Sequence, residues 1–335
     1  MKILLTGGTG LLGSQVLRLL HARGYAVRAL RRPDSRMALV IDVASNTEWY
    51  ECDVTDAIGL EDAFDGITHV VHCAAMVSFH PRDVRRMMQV NVEGTANLVN
   101  LAMDFGVQRF IHTSSIAALG RAKNNSHLDE SAKWETSKFN SQYAISKYLG
   151  EQEVWRAHAE CLTIAIANPA MVIGPGFWTE NTARFFQQIQ DGLRFCPIGA
   201  TGFVDVHDVA TFLVQLLESD INGERYVLSG ENMTYRAFFD QVARALNVKA
   251  PDIAVQPWLA EIAWRVEWLK EKLLGSQPMV TRESARSSVS RFTYGNQKSL
   301  ATFPAFQYTP IAETIQATAA VFNSVAAEGG HPASN

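Results

Sequence analysis

The chain has 335 residues, 47% of them hydrophobic and 19% charged, with a formal net charge of −4. That length can bury a large core in one domain or two closely joined ones, and the composition is ordinary for a soluble globular protein. A slightly acidic balance with no long basic run excludes bulk attraction to nucleic acid, and no segment approaches the roughly 20 apolar residues of a membrane span.

Lys2–Thr6 reads as a short apolar strand that runs straight into glycines at 7, 10 and 13, with a helix over Leu11–Ala22. Gly7 permits a sharp turn, Gly10 lets the main chain approach a phosphate, and Gly13 lets the helix pack closely on its strand. A helix N-terminus offers unpaired N–H groups and partial positive charge. The turn, including Thr6, Thr9, Leu11 and Leu12, is therefore predicted to hold a dinucleotide pyrophosphate. Because the first residues are already a strand, no signal peptide is expected. Cys52, Cys73, Cys161 and Cys196 lack metal-type spacing. The first three sit on apolar strand-like runs and read as reduced, buried thiols, so a cytoplasmic location and no metal are expected.

Strand and helix signals then alternate. Ala26–Leu30 and Thr47–Cys52 read as strands, and Thr55 or Asp56 can cap a helix over Leu60–Phe64. His69–Ala74 and Arg109–Thr113 are further strands, separated by one long helical pattern through Val84–Phe105. A helix over Tyr143–His158 leads to a strand over Leu162–Ala167. Such alternation implies right-handed crossovers and a parallel sheet covered on both faces, a doubly wound α/β fold. The rhythm changes after Asn168-Pro169. Helical patterns follow over Thr182–Leu193, after Phe203–Ala210, over Tyr235–Leu246 and over Trp258–Leu274, with one more strand at Arg225–Leu228. Residues 1–168, completed by 203–229, are expected to form the dinucleotide-binding domain, residues 169–202 and 230–325 a smaller substrate region, and 326–335 a flexible tail.

Tyr143 and Lys147 lie four residues apart and share one helical face. A lysine and a positively charged nicotinamide ring favour the phenolate, moving its pKa from about 10 toward the range useful for proton transfer. Ser115, expected at the end of the fifth strand, can hold a substrate oxygen while Tyr143 exchanges the proton. Ser114 is a second hydroxyl there, read as structural. His72 and His112 read as satisfied core residues, His207-Asp208 as a structural link between the two regions, and Trp258, Trp264 and Trp268 as core packing or one wall of a cleft.

These motifs resemble the extended short-chain dehydrogenase/reductase family over nearly the whole chain. The residues that carry the likeness are Thr6–Gly13, Asp53-Val54, His72–Ala75, Asn91, Thr113–Ser115, Tyr143 with Lys147, and Asn168-Pro169. The resemblance implies a catalytic set of Ser115, Tyr143 and Lys147, with Asn91 supporting a proton relay. It also implies that Asp53 and Val54 flank the adenine, that Ala74, Ala75 and Thr113 line the cofactor, and that Lys147 bonds the nicotinamide ribose. Asn168 stands where many relatives carry arginine. Ala74–Phe79, Thr201–Ala210 and Pro278–Arg282 are similar to the dihydroflavonol 4-reductase and 3β-hydroxysteroid dehydrogenase-like branch. Sugar-nucleotide enzymes place a basic residue before the His/Asp segment, whereas here Pro197–Phe203 has no cation for a diphosphate.

An acid at the end of the second strand would accept from the ribose 2′-OH of NAD. Here Arg31 stands in its place with Arg32 beside it, and guanidinium suits the 2′-phosphate of NADP. Arg28 is read as assisting or facing solvent, and Asp34 as the alternative ribose ligand. The leading expectation is an NADP-dependent oxidoreductase acting on an apolar carbonyl or alcohol, with NAD possible. Met76, Ser78, Phe79, Phe177, Trp178, Phe185 and Phe186 are expected near the substrate, and the Val84–Phe105 and Tyr143–His158 helices at a homodimer interface. A nucleotide-sugar epimerase or dehydratase with tightly held NAD is the second expectation, and a non-catalytic dinucleotide sensor the third.

Overall fold

The apolar runs of the first half become parallel strands because alternate residues face opposite sides of one sheet and both sides are covered. Ile3 and Leu5 join one hydrophobic cluster and Leu4 the other, and Val71 with Val70, and Ile111 with Phe110, divide in the same way. The computed structural model describes residues 1–120, 126–137, 140–274 and 281–327.

In chain order, the first half comprises β1 (Lys2–Thr6), α1 (Leu11–Ala22), β2 (Ala26–Arg31), β3 (Glu48–Glu51), α2 (Ala57–Glu61), β4 (His69–His72), α3 (Val84–Met88), α4 (Gly94–Asp104) and β5 (Arg109–Thr113). It is followed by β6 (His127–Leu128), α5 (Gln142–Ala159), β7 (Ile164–Pro169), β8 (Met171–Ile173), α6 (Arg184–Gln190), β9 (Phe195–Pro197), β10 (Ala200–Asp205), α7 (Val206–Glu218) and β11 (Glu224–Leu228). The last third holds β12 (Glu231–Thr234), α8 (Tyr235–Ala245), β13 (Ile253–Val255), α9 (Pro257–Leu274), α10 (Arg282–Val289), β14 (Thr293–Tyr294), α11 (Gln297–Thr302) and α12 (Ile311–Ala327).

Seven strands form the main sheet in the order β11-β7-β5-β4-β1-β2-β3, every neighbouring pair parallel. The chain leaves β1 in one direction for β2 and β3 and in the other for β4 and β5. The carboxyl ends of β1 and β4 therefore flank the crevice where ligands bind in open α/β sheets. Helices α1 and α7 cover one face through Val16, Leu17, Leu20, Phe212 and Leu216. Helices α2, α4 and α5 cover the other through Leu60, Leu98, Val99, Val154 and Ala157.

The stretch expected as one helix over Val84–Phe105 is interrupted by a π-turn at Gln89–Glu93, a local device that re-aims side chains. The helix expected over Leu60–Phe64 begins earlier, at Ala57. Asp56 caps it by accepting from the Gly59 amide at 3.0 Å. Phe203–Asp205 does not complete the main sheet; it lies in a separate three-stranded sheet, β12-β10-β8, while α7 and β11 return to the large one. Asp205 and Asp208 tie this junction to the last helix, accepting from Thr314 Oγ1 at 2.7 Å and from the Thr309 amide at 2.7 Å respectively.

The second region has its own core. Trp178, Phe186, Phe203, Phe238, Phe239, Ile315 and Phe322 pack between α6, α8 and α12. Trp178 and Phe186 are thus interior side chains, not a cleft wall, because α12 covers them. Trp258 and Trp268 are corrected in the opposite sense: on α9 they are 64% and 48% exposed. Cys161 is also exposed, in the turn after α5 with φ of 78°, where no strand has yet begun. Ala326 and Ala327 close α12, and the rest of the expected tail, like residues 278–280, lies outside the described residues. Among the described residues no helix is long and apolar enough to cross a membrane.

Candidate active site

The turn after β1 is built by steric necessity. Gly7 has φ of 71°, and a Cβ there would meet the Ala74 nitrogen at 2.7 Å. A Cβ on Gly13 would lie 2.0 Å from the Gly7 carbonyl oxygen. Gly10 is different: the Gly7 carbonyl oxygen at 3.3 Å is the one atom its Cβ would approach within 4 Å. Its bare face opens on space beside the N-terminus of α1, which has no side-chain cap and no acidic residue in its first turn. This is a fit for a pyrophosphate held by backbone N–H groups. Thr6 braces the turn. Its hydroxyl lies 2.7 Å from His72 Nδ1 and accepts from the Ala74 amide at 3.1 Å, locking β1 to the loop after β4.

At the adenosine end, Arg31 closes β2 and pairs with Glu51 at 3.3 Å. Its Nε is buried without a partner, a donor that suits an added phosphate oxygen. Arg32 faces solvent and pairs with Asp34 at 3.3 Å. Arg28 neither assists nor faces solvent: it is buried, pairs with Glu48, and donates to the carbonyls of Asp62, Ala63 and Asp65. Asp53 accepts from the Thr55 amide and hydroxyl and pairs with Arg86 at 2.5 Å. Burial pushes its carboxyl up, but these partners outweigh it and hold the pKa below the usual value. Val54 is buried against Gly94. A third cation, Arg36, was not anticipated. Its guanidinium lies 3.6 Å over the Phe177 ring and pairs with Glu180, so Phe177 belongs to a clasp between the β2 loop and the second region.

At the other end of the crevice the side chains are drawn together by β5, α5 and the loop after β4. Strand β5 stops at Thr113, and Ser115 caps a 3₁₀ turn, Ile116–Leu119, by accepting from the Ala117 amide at 3.1 Å. Tyr143 is half-buried; burial raises its pKa above the ordinary tyrosine value, and a Ser115 hydrogen bond opposes this. Lys147, four residues on, is 3% exposed and donates to the Thr113 carbonyl at 3.0 Å. Burial lowers its pKa to about 8, with Glu151 and Cys73 pulling it back up. Burial thus dominates the Tyr143 pKa, and the Lys147 ammonium is held by the Thr113 carbonyl. Phe79 stands edge-on to Tyr143 with ring centroids 6.0 Å apart.

Asn91 sits in the π-turn with its side chain fully engaged. Its Oδ1 accepts from the Met76 amide at 2.8 Å, and its Nδ2 donates to the Met76 carbonyl and to Ser146 Oγ, both at 2.9 Å. Its amide thus braces the loop carrying Ala74, Ala75 and Met76 against α5. Ser78 is likewise committed, donating to Asp83 at 2.6 Å. His72 is satisfied by Thr6 and Thr95, but both ring nitrogens of His112 are buried without partners. Two arrangements escaped the sequence reading. The first is Glu151, buried among Ser114, Asn168, Trp155 and Arg225. The second is a cavity of about 270 Å³ where Arg236 and Arg291 meet Pro197 and Ile198, so the Pro197–Phe203 segment does have cations beside it, brought from elsewhere in the chain. Among the described residues no cluster of three or more His, Cys, Asp or Glu is placed to hold a metal.

Comparison with known proteins agrees with this geometry. The chain is 32% identical over 268 residues to sterol demethylase protein B of Methylococcus capsulatus, covering 78% of this chain and 79% of that protein. It is 30% identical over 318 residues to a putative dihydroflavonol 4-reductase of Synechocystis, covering 88% and 87%. The crystal structure of gox2253 superposes with a TM-score of 0.80 at 30% identity, covering 96% of this chain and 98% of that one. Residues 3–229 match the NAD dependent epimerase/dehydratase family, and the chain is a member of that family, the extended short-chain dehydrogenases/reductases with their nicotinamide-dinucleotide chemistry.

Proposed function

We propose that this chain is an NADP-dependent carbonyl reductase or alcohol dehydrogenase for a fairly apolar substrate. The observation that carries the reading is the gathering of Ser115, just past β5, with Tyr143 in the first turn of α5 and the Lys147 ammonium buried one helical turn on. The dinucleotide, when bound, supplies or accepts the hydride at the substrate carbon. Ser115 Oγ holds the substrate oxygen. Tyr143 gives its phenolic proton to that oxygen in reduction and takes it back in oxidation, so the charge left by hydride transfer is neutralised. Lys147 would bond the ribose of a bound dinucleotide, and its positive charge would stabilise a developing phenolate. Phe79 and Met76 give this end an apolar wall. The unpartnered Arg31 Nε, with Arg32 beside it, supports NADP over NAD.

The test is turnover of NADPH with a panel of hydrophobic ketones and aldehydes, in wild type and in Tyr143→Phe. The variant is expected to lose about 10²–10⁴-fold in kcat while binding NADPH as before. Full turnover in Tyr143→Phe sinks the assignment. A second reading, a nucleotide-sugar epimerase or dehydratase, is supported by Arg236 and Arg291 around one cavity. It predicts NAD that copurifies with the protein and conversion of a nucleotide sugar without net absorbance change. The proposed enzyme is a cytoplasmic homodimer joined through the α3–α4 and α5 helices, which light scattering checks.

A further inference from the structure

Glu151 lies one turn beyond Lys147 on α5 and is 1% exposed. A carboxylate in such a place is costly unless its oxygens are satisfied. Here four donors converge on it. Ser114 Oγ donates at 2.6 Å and Asn168 Nδ2 at 2.7 Å to one oxygen, while Trp155 Nε1 and an Arg225 guanidinium nitrogen donate at 3.2 Å to the other. These donors come from just past β5, from β7, from α5 itself and from β11, so one side chain ties three strands together beside the reacting groups. Asn168 extends the arrangement: its Nδ2 also donates to the Ser115 carbonyl at 3.0 Å. The Ser115 carbonyl, which also accepts from the Ala118 amide at 2.9 Å as the 3₁₀ turn begins, thereby gains a second anchor from β7.

We propose that Glu151, acting through Asn168 and Ser114, is a positioning residue that sets the place of Ser115 and keeps Lys147 in its charged form. This rests on the reading in which Ser115, Tyr143 and Lys147 carry the chemistry. The groups facing Lys147 make the charge role specific. His72 on β4 and His112 on β5 are buried and neutral, their pKa values depressed by burial and by Lys147 itself. Cys73 is a thiol pushed up to about 11, chiefly by burial. Among these groups Glu151 is the carboxylate, and its field opposes the burial that lowers the Lys147 pKa.

The sign follows. Glu151→Gln removes an anion that favours the ammonium, so Lys147 loses its proton at lower pH, by about one unit. The alkaline limb of the kcat profile moves down with it, whereas Glu151→Asp largely restores both. Asn168→Ala leaves the Glu151–Arg225 pair intact and guards against misfolding in the first variant. It is expected to lower kcat about tenfold with KM nearly unchanged and the Lys147 titration unmoved. The Lys147 midpoint is read by NMR of ¹³Cε-labelled lysine, independently of turnover. A shifted midpoint in Glu151→Gln, in a wild-type protein that reduces no carbonyl, retires the reaction assignment and leaves the charge role standing. An unshifted midpoint and profile in Glu151→Gln, or unchanged kcat in Asn168→Ala, overturns the proposal.

Discussion

The two ends of the crevice solve opposite electrostatic problems. At the Tyr143 end most polar groups are taken out of water and given partners within the protein: Lys147 to Thr113, Asn91 to Met76 and Ser146, Glu151 to four donors. At the adenosine end Arg31, Arg32 and Arg36 remain partly in solvent, each beside a carboxylate, Glu51, Asp34 and Glu180. The first end is fixed before any ligand arrives, as proton transfer to a defined atom requires. The second holds its cations in exposed pairs worth little individually, which a phosphate can replace at small cost. One end should therefore answer to pH and the other to salt.

The largest expected effect tests the exposed end. Arg31→Ala should weaken NADPH binding about 10- to 100-fold, the worth of one or two charge-assisted hydrogen bonds, and leave NADH within about threefold. The loss should shrink as ionic strength rises, because wild-type binding is itself screened. Fluorescence titration with both dinucleotides measures it. Equal weakening of NADPH and NADH would mean that Arg31 supports the fold of the β2 end and does not read the 2′-phosphate.

The buried end carries a smaller effect, expressed as stability. His112 has two buried, unpartnered nitrogens, and its pKa is held well below the ordinary histidine value by burial, Lys147 and His72. His72, lowered to about 3 chiefly by burial, behaves alike. For both, the unfolded chain binds a proton below about pH 6.5 that the folded chain refuses, so stability is full above that pH and is lost as the pH falls. His112→Leu removes one such group and two orphaned nitrogens. It should stabilise the protein by about 1 kcal/mol at neutral pH, and by more at pH 5. Denaturant unfolding at the two pH values checks this; an unchanged difference between them breaks the argument.

The same contrast explains what the sequence makes legible. The β1–α1 turn, the alternation of strands and helices, and Tyr143 with Lys147 are local patterns: glycines at fixed spacing, period-two and period-3.6 hydrophobicity, two residues on one face. Glu151 looks like any solvated glutamate on a helix. It becomes buried because residues just past β5 and within β7 and β11, distant in sequence, meet around it. Asn91 carries no sign that the π-turn will aim its amide at Met76. Arg36 reads as a loop charge until Phe177 and Glu180, more than a hundred residues on, meet it. In the second region the aromatics mislead because burial there depends on which helices cover which faces. Trp258 and Trp268 of α9 have helical spacing yet stay exposed, while Trp178, with no periodic signal, is covered by α12.

The smallest expected effect is the sharpest test of the exposed end. Glu51 is 51% exposed and lies 3.3 Å from the Arg31 guanidinium. An exposed pair of this kind is worth about 0–1 kcal/mol. On the proposed NADP reading it should nevertheless oppose NADPH binding twice, by occupying the guanidinium and by repelling the 2′-phosphate. Glu51→Gln keeps the size of the side chain and removes its charge, so it should tighten NADPH about two- to fivefold and leave NADH almost unmoved, since the ribose 2′-OH carries no charge to repel. At high salt the gain should vanish, because both terms are screened. If Glu51→Gln instead weakens NADPH, Glu51 is orienting Arg31 toward the phosphate, and the carboxylates at this end belong to the binding machinery just as Glu151 belongs to the other.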